Sequence, residues 1–201
     1  MPPKIKYTKN EVIEAAVSIV DENGLSSLTA RRVADKLGAS TGPVYHHFAT
    51  MDGLALEVIR RTQSSLLEYA SRPYTERVFL NMGTGIAMFA CEHRLLYRAL
   101  MLEGDSYSDV VREFLDILES ELIKDSRFVS LSESERHVLL RKMWTFTHGL
   151  ASLICVGLVK SCNQDYVIKT LLDVGTDIIG ATLAKHMNDA KSEQPPDRKR
   201  A

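Results

Sequence analysis

Apolar residues recur along this chain at three- and four-residue spacing in segment after segment, and two-residue alternation is scarce. Thr8 opens the first segment with Glu11 three residues later, a capping box. Val12, Ile13, Ala16, Ile19 and Val20 then share one helical stripe, and Gly24 is a residue type able to close it at positive φ. Thr29 is an N-cap type before a short helix in which Val33 and Leu37 face the same way, and Gly38 ends it. Ser40 introduces another short helix, with Val44 and Phe48 four apart and Pro43 in the first turn, where its missing amide is tolerated. The pattern predicts further helices near 52–70, 74–91, 94–103, 107–124, 133–159 and 164–187. Arg72-Pro73 and Gly104-Asp105-Ser106 mark breaks, and Ser132 with Glu135 forms a second capping box. The expectation is an all-α chain: a head over 1–50, a connecting helix at about 52–70, a helical domain over 71–188 and a disordered Pro- and charge-rich tail over 189–201.

Composition narrows the class. Of 201 residues, 45% are apolar and 25% charged, which is ordinary globular usage. Lys plus Arg is 25 against 26 acidic residues, so the net charge of −1 excludes a basic coat over the whole chain. Cys91, Cys155 and Cys162 are odd in number and unequally spaced, which points to free buried thiols in a reducing cytoplasm. The N-terminus has no apolar export segment. The uncharged run from Met143 to Val159 is 17 residues, at the lower limit for a membrane span, but Thr145, Thr147, His148 and Ser152 interrupt it. A buried helix is the expected reading, with no membrane contact and a cytoplasmic location.

The two short helices joined by Gly38-Ala39-Ser40 have the proportions of a helix-turn-helix, whose second helix enters the major groove of double-stranded DNA. Thr41, Gly42, Tyr45 and His46 would face outward from that helix. Ser40 and Thr41 offer hydroxyls and N-terminal amides to phosphate, Gly42 permits close approach, and Tyr45 and His46 bring polar tips. No acidic residue lies between Lys36 and Met51. Residues 1–50 hold 6 basic and 5 acidic groups, net +1, and the remainder is net −2. A polar helical hairpin without a ligand is the alternative reading of the same pattern.

From Thr8 to Leu56 the chain resembles the N-terminal domain of TetR-type (TetR/AcrR-type) bacterial transcriptional regulators. The matching segments are Ile13-Glu14-Ala15-Ala16, Glu22-Asn23-Gly24, Leu28-Thr29, Val33-Ala34, Leu37-Gly38-Ala39-Ser40, Gly42-Pro43-Val44-Tyr45-His46-His47-Phe48 and Leu54. The resemblance implies an N-terminal three-helix DNA-binding domain with a helix-turn-helix, and a C-terminal helical ligand-binding and dimerisation domain. It also implies a homodimeric repressor on a double-stranded DNA operator, relieved by a small-molecule effector. Carried over by position, Thr29, Arg31 and Arg32 would meet phosphate or nearby bases. Ser40, Thr41, Gly42, Pro43, Tyr45 and His46 would form the reading surface, with His47 matching a frequent histidine. Met51 stands where the family usually has a phosphate-binding Lys, and Ala39 where Val is common. The basic arm Lys4-Ile5-Lys6 either reaches the minor groove or stays mobile.

In the C-terminal part, Val78 to Cys91 is uncharged, with Gly83 and Gly85 inside it. A helical glycine costs about 1 kcal/mol relative to alanine. Either another helix packs very close there, or the missing side chains leave room for a ligand. Met82, Gly85, Met88, Phe89, Phe114, Met143, Trp144 and His148 are candidates for the wall of a mostly apolar pocket, with plain core as the alternative. Trp144, His148 and Gly149 also resemble a segment recurring in TetR-type C-terminal domains; a satisfied core histidine is the other reading of His148. The final helix carries two apolar stripes, Val167, Leu171, Val174, Ile178 and Ala181 beside Ile168, Leu172, Gly175, Ile179 and Leu183. One stripe would serve the core and the other a second copy of the chain. Leu153 on the preceding helix joins Val167, Leu171, Val174 and Ile178 as the expected dimer surface.

An enzyme is disfavoured. Cys91-Glu92-His93 and His46-His47 lack metal-ligand spacing, and there is no phosphate-cradling glycine loop or nucleophile elbow. No catalytic residue, metal or cofactor is expected. The competing class is an architectural or adaptor DNA-binding protein without a small ligand.

Overall fold

A computed structural model of the chain describes residues 7–103, 107–159 and 161–192, with side chains to 188. The arm Lys4-Ile5-Lys6, the separator Gly104-Asp105-Ser106 and the tail over 193–201 lie outside the described residues. Among those described, nine α-helices and no strand are present: α1 Lys9–Asn23, α2 Ala30–Leu37, α3 Gly42–His47, α4 Met51–Ala70, α5 Val78–Glu92, α6 Arg94–Met101, α7 Ser108–Leu122, α8 Glu133–Cys155 and α9 Gln164–Ser192. The protein is all-α, with an N-terminal helix-turn-helix domain and a helical C-terminal domain.

The helix boundaries follow from local chemistry. Thr8 and Glu11 form the full capping box of α1, and Ser132 with Glu135 that of α8. Gly38 adopts φ +63 after α2, and the amides of Gly38 and Ala39 return to the carbonyls of Asp35 and Ala34. α5 begins at Val78, later than the periodicity predicts. Asn81 ties down the preceding turn through Thr75, accepting from its amide and hydroxyl and donating to its carbonyl. α8 stops at Cys155, short of the expected 159. Gly157 turns left-handed at φ +77, and the amides of Gly157 and Leu158 close back onto Ile154 and Leu153. α9 runs past its expected end at 187 to Ser192. No helix among the described residues is long and apolar enough to cross a membrane.

α5 is the central element, packed against α4, α8 and α9. Gly85 is where α4 crosses it: a Cβ there would lie 2.0 Å from the Tyr69 carbonyl oxygen. One continuous apolar core runs from Val12 and Val44 in the head through Leu66 and Phe89 to Leu139 and Leu171. α1 packs not only on α2 and α4 but also on α6, so the head is seated directly on the C-terminal domain.

The cysteines depart from expectation. Cys91 at the end of α5 and Cys162 in the α8–α9 connection form a disulfide, with Cα atoms 5.9 Å apart. Only Cys155 is a free buried thiol. The bonded pair is 71 positions apart in sequence, so nothing in local spacing signals the meeting.

Candidate nucleic-acid interface and internal cavity

In the head, Val44 and Phe48 anchor α3 in the core, at 0% and 6% exposure. The opposite face of the same short helix is therefore turned out. Tyr45 is 57% exposed, and Thr41, Gly42 and His46 are exposed beside it. The Ser40 hydroxyl lies 3.4 Å from the Gly42 amide, which folds the turn against the start of α3. Pro43 is half-buried in the first turn. Thr29 spends its side chain on the Arg32 amide as the cap of α2, while Arg31 and Arg32 remain exposed.

His47 is placed differently from its neighbours. It is half-buried, and its Nε2 lies 2.8 Å from the Tyr7 carbonyl oxygen, while the Tyr7 hydroxyl donates to the Leu37 carbonyl. Tyr7 thus links the end of α2 to the end of α3. Sequence patterning missed it, because both contacts join residues at least thirty positions apart. Met51 is half-buried against the head core. Thr50 supplies the α4 cap, accepting from the Gly53 amide.

The head is braced from two sides. Arg61 of α4 reaches Glu14 at 2.8 Å, and Lys9 pairs with Glu57. On the far side, Asp21 of α1 lies 2.8 Å from His93 Nδ1 in the turn between α5 and α6. The Tyr69 hydroxyl, from the end of α4, contacts His93 Nε2 and donates to Glu92. The Arg72 guanidinium lies 3.5 Å from the centre of the Tyr69 ring.

The C-terminal domain holds an open cavity of about 580 Å³ between α5, α7, α8 and α9. Of the residues singled out in the sequence, Met82, Met143 and Trp144 line it. Gly83 also lines it, where a Cβ would approach Leu171 Cδ1 to 3.3 Å. Gly85 does not: it serves the α4 crossing, so the two glycines divide the two roles. Met88, Phe89 and Phe114 do not line this cavity. Phe89 and Phe114 are fully buried core, because α5 and α7 turn those positions toward α4, α6 and α8. His148 does not line it either. Its Nδ1 faces the buried Tyr97 hydroxyl at 2.9 Å and its ring stacks on Trp144, with centroids 5.2 Å apart. Burial holds the His148 pKa below the usual histidine range.

The walls are mostly apolar, with Phe79, Ile86, Leu140, Leu172, Ile179 and Leu183 added by the tertiary structure. Arg77, Lys124, Asp125 and Arg127 bring charge to the wall beside the start of α5. Asp125 is buried, bonded to Arg127 through both carboxylate oxygens at 2.6 and 2.8 Å. The Arg127 guanidinium holds the Asp125 carboxyl below the usual carboxylate range.

The expected dimer surface is split. Val167 and Leu171 are 0% and 2% exposed within the single chain, so they face its own core. Val174 and Ile178 are half-buried, and Leu153 is 46% exposed. Periodicity finds two stripes on α9 but cannot say which one turns inward. Both reach inward here, since Leu172, Gly175, Ile179 and Leu183 of the second stripe meet the cavity.

Comparison with known proteins agrees with this geometry. The family model described as bacterial regulatory proteins, tetR family, matches residues 12–58. An HTH-type transcriptional regulator of Bacillus subtilis, YobS, is 23% identical over 159 residues, covering 77% of this chain and 82% of the relative. The HTH-type transcriptional repressor KstR2 of Mycobacterium tuberculosis is 33% identical over 57 residues, 28% of each chain. A crystal structure of a tetR-family regulator from Streptomyces coelicolor superposes with a TM-score of 0.66 at 15% identity, covering 94% of this chain and 90% of that one. Residues 12–58 thus carry the head of the tetR family of bacterial regulatory proteins, and the chain as a whole has the all-α fold of TetR-family structures.

Proposed function

We propose that this regulator is a homodimeric repressor that holds operator DNA and releases it when a small, mostly apolar molecule enters the cavity. The observation that carries the reading is the seating of α1 on the turn between α5 and α6, through Asp21 and His93. This contact joins the helix that braces α3 to the helix that walls the cavity. Thr41, Gly42, Tyr45 and His46 read the major groove, while Ser40, Arg31 and Arg32 hold phosphate. Thr29 caps α2, and Pro43 and His47 support the reading helix from behind.

Two heads in a dimer would meet half-sites roughly 34 Å apart. Leu153, Val174 and Ile178 belong to the pairing surface on α8 and α9. The ligand acts by binding one head spacing better than the other, so its differential affinity sets the size of the response. An open cavity within the core favours this reading over a ligand-free architectural protein. The test is capture of bound genomic DNA with the full-length chain, followed by operator affinity measurements on Tyr45→Phe and His46→Ala. Loss of affinity with the fold retained supports the assignment, and unchanged affinity in both variants removes it.

A further inference from the structure

Cys91 and Cys162 meet at a place where a covalent bond would matter to the whole molecule. Cys91 is in the last turn of α5, two residues before His93, whose ring contacts Asp21 of the head and Tyr69 of α4. Cys162 lies in the connection between α8 and α9, the helices on which dimerisation rests in the proposed function. Both cysteines are half-buried, at the edge of the core. We propose that Cys91 and Cys162 form an oxidant-sensing thiol pair whose closure, by tethering the α8–α9 connection to the α5–α6 turn, changes operator affinity. The proposal rests on the DNA-binding reading above.

The chemistry balances with a hydroperoxide as oxidant. One thiolate attacks the peroxide oxygen, breaking the O–O bond; sulfur is oxidised to a sulfenic acid and the leaving oxygen departs, after protonation, as an alcohol, or as water when the oxidant is hydrogen peroxide. The second thiol attacks the sulfenic sulfur, forming the S–S bond and releasing a second water. For hydrogen peroxide, two thiols and one oxidant give one disulfide and two waters. A dithiol reductant reverses the bond by exchange, becoming a cyclic disulfide itself.

The third cysteine shows by contrast what an unreactive thiol looks like in this fold. Cys155 is 8% exposed and its sulfur contacts the Arg94 carbonyl oxygen at 3.6 Å. Burial pushes its pKa up to about 11, which keeps it protonated and a poor nucleophile near neutral pH.

The test uses the full-length protein, reduced with dithiothreitol or treated with hydrogen peroxide and freed of reagent. Alkylation and peptide mass mapping read the thiols, and anisotropy with captured operator DNA reads affinity. The expected results are a reversible Cys91–Cys162 linkage, with Cys155 unlinked, and an affinity change of about fivefold or more between the two states. The change should vanish in both Cys91→Ser and Cys162→Ser and persist in Cys155→Ala. Absence of the linkage overturns the proposal. So does linkage with equal affinity, which makes the bond a structural staple, and so does a redox response that survives in Cys91→Ser. Amide hydrogen exchange across 89–97 and α1 supplies a readout independent of DNA. If neither state binds any DNA, the regulator reading fails, and exchange that differs between states then upholds the coupling while identical exchange rejects it.

Discussion

His93 Nδ1, in the turn between α5 and α6, lies 2.8 Å from Asp21 Oδ2 on α1, across 72 positions of sequence. Each side chain is about a third exposed, so the pair is worth only about 0–1 kcal/mol of stability. Its effect is expected in coupling. Asp21→Asn and His93→Ala should each change operator affinity several-fold while lowering Tm by under about 4 °C. A double-mutant cycle on operator affinity checks the pair: additive effects would show that the two residues act separately.

Two adjacent residues of α3 should separate contact from support. Tyr45→Phe removes a hydroxyl from a side chain that is 57% exposed, so affinity should fall with Tm unchanged. His47→Ala frees the Tyr7 carbonyl and loosens the α2–α3 clasp, so affinity and Tm should fall together. Paired anisotropy and calorimetry decide it. The reverse pattern would exchange the two roles.

The two glycines of α5 should respond unequally to alanine. At Gly85 the new methyl meets the backbone at Tyr69 and Ala70, which cannot step aside. Overpacking of that kind costs about 1–3 kcal/mol or more. At Gly83 the nearest atom is the flexible end of Leu171, and helix propensity returns about 1 kcal/mol. Urea unfolding should show Gly85→Ala strongly destabilised and Gly83→Ala near wild type. A wild-type midpoint for Gly85→Ala would mean that the helices do not cross this closely.

Acid should weaken the fold through His148. Its folded-state pKa lies below the usual value because burial disfavours the charged ring, whereas the unfolded chain titrates near about 6.5. The unfolded state therefore binds more protons as pH falls below that value. The stability is fully present above it and is lost progressively toward the lower folded pKa. His148→Gln should flatten the slope of unfolding free energy between about pH 7 and pH 5, measured by urea titration. An unchanged slope would assign it to other groups.

Reduction should lower stability as well. The Cys91–Cys162 loop spans 71 positions of sequence, for which chain entropy sets a stabilisation of up to about 4 kcal/mol. Urea midpoints with and without dithiothreitol measure it, with Cys91→Ser matching the reduced protein. Equal midpoints would show that the bond places no useful constraint on the unfolded chain.

Most of the secondary structure was legible in the residues alone, because its causes are local. Thr8 with Glu11, Ser132 with Glu135, and Gly38 state where helices start and stop within a few positions of the chain. The outward set Thr41, Gly42, Tyr45 and His46 follows from Val44 and Phe48 lying inward on the same helix. Other features depend on where distant segments meet, and side-chain periodicity carries no such information. Gly83 and Gly85 look alike in sequence, yet one faces the cavity and the other faces the Tyr69 backbone. Val167 and Leu171 could have faced a partner, but α5 and α8 claim them. His47 sits beside His46 but turns to Tyr7, and Cys91 finds Cys162 only because α5 and the α8–α9 connection end side by side. Helical periodicity specifies each helix's faces, while packing one α5 against α4, α8 and α9 at once decides which face meets which neighbour.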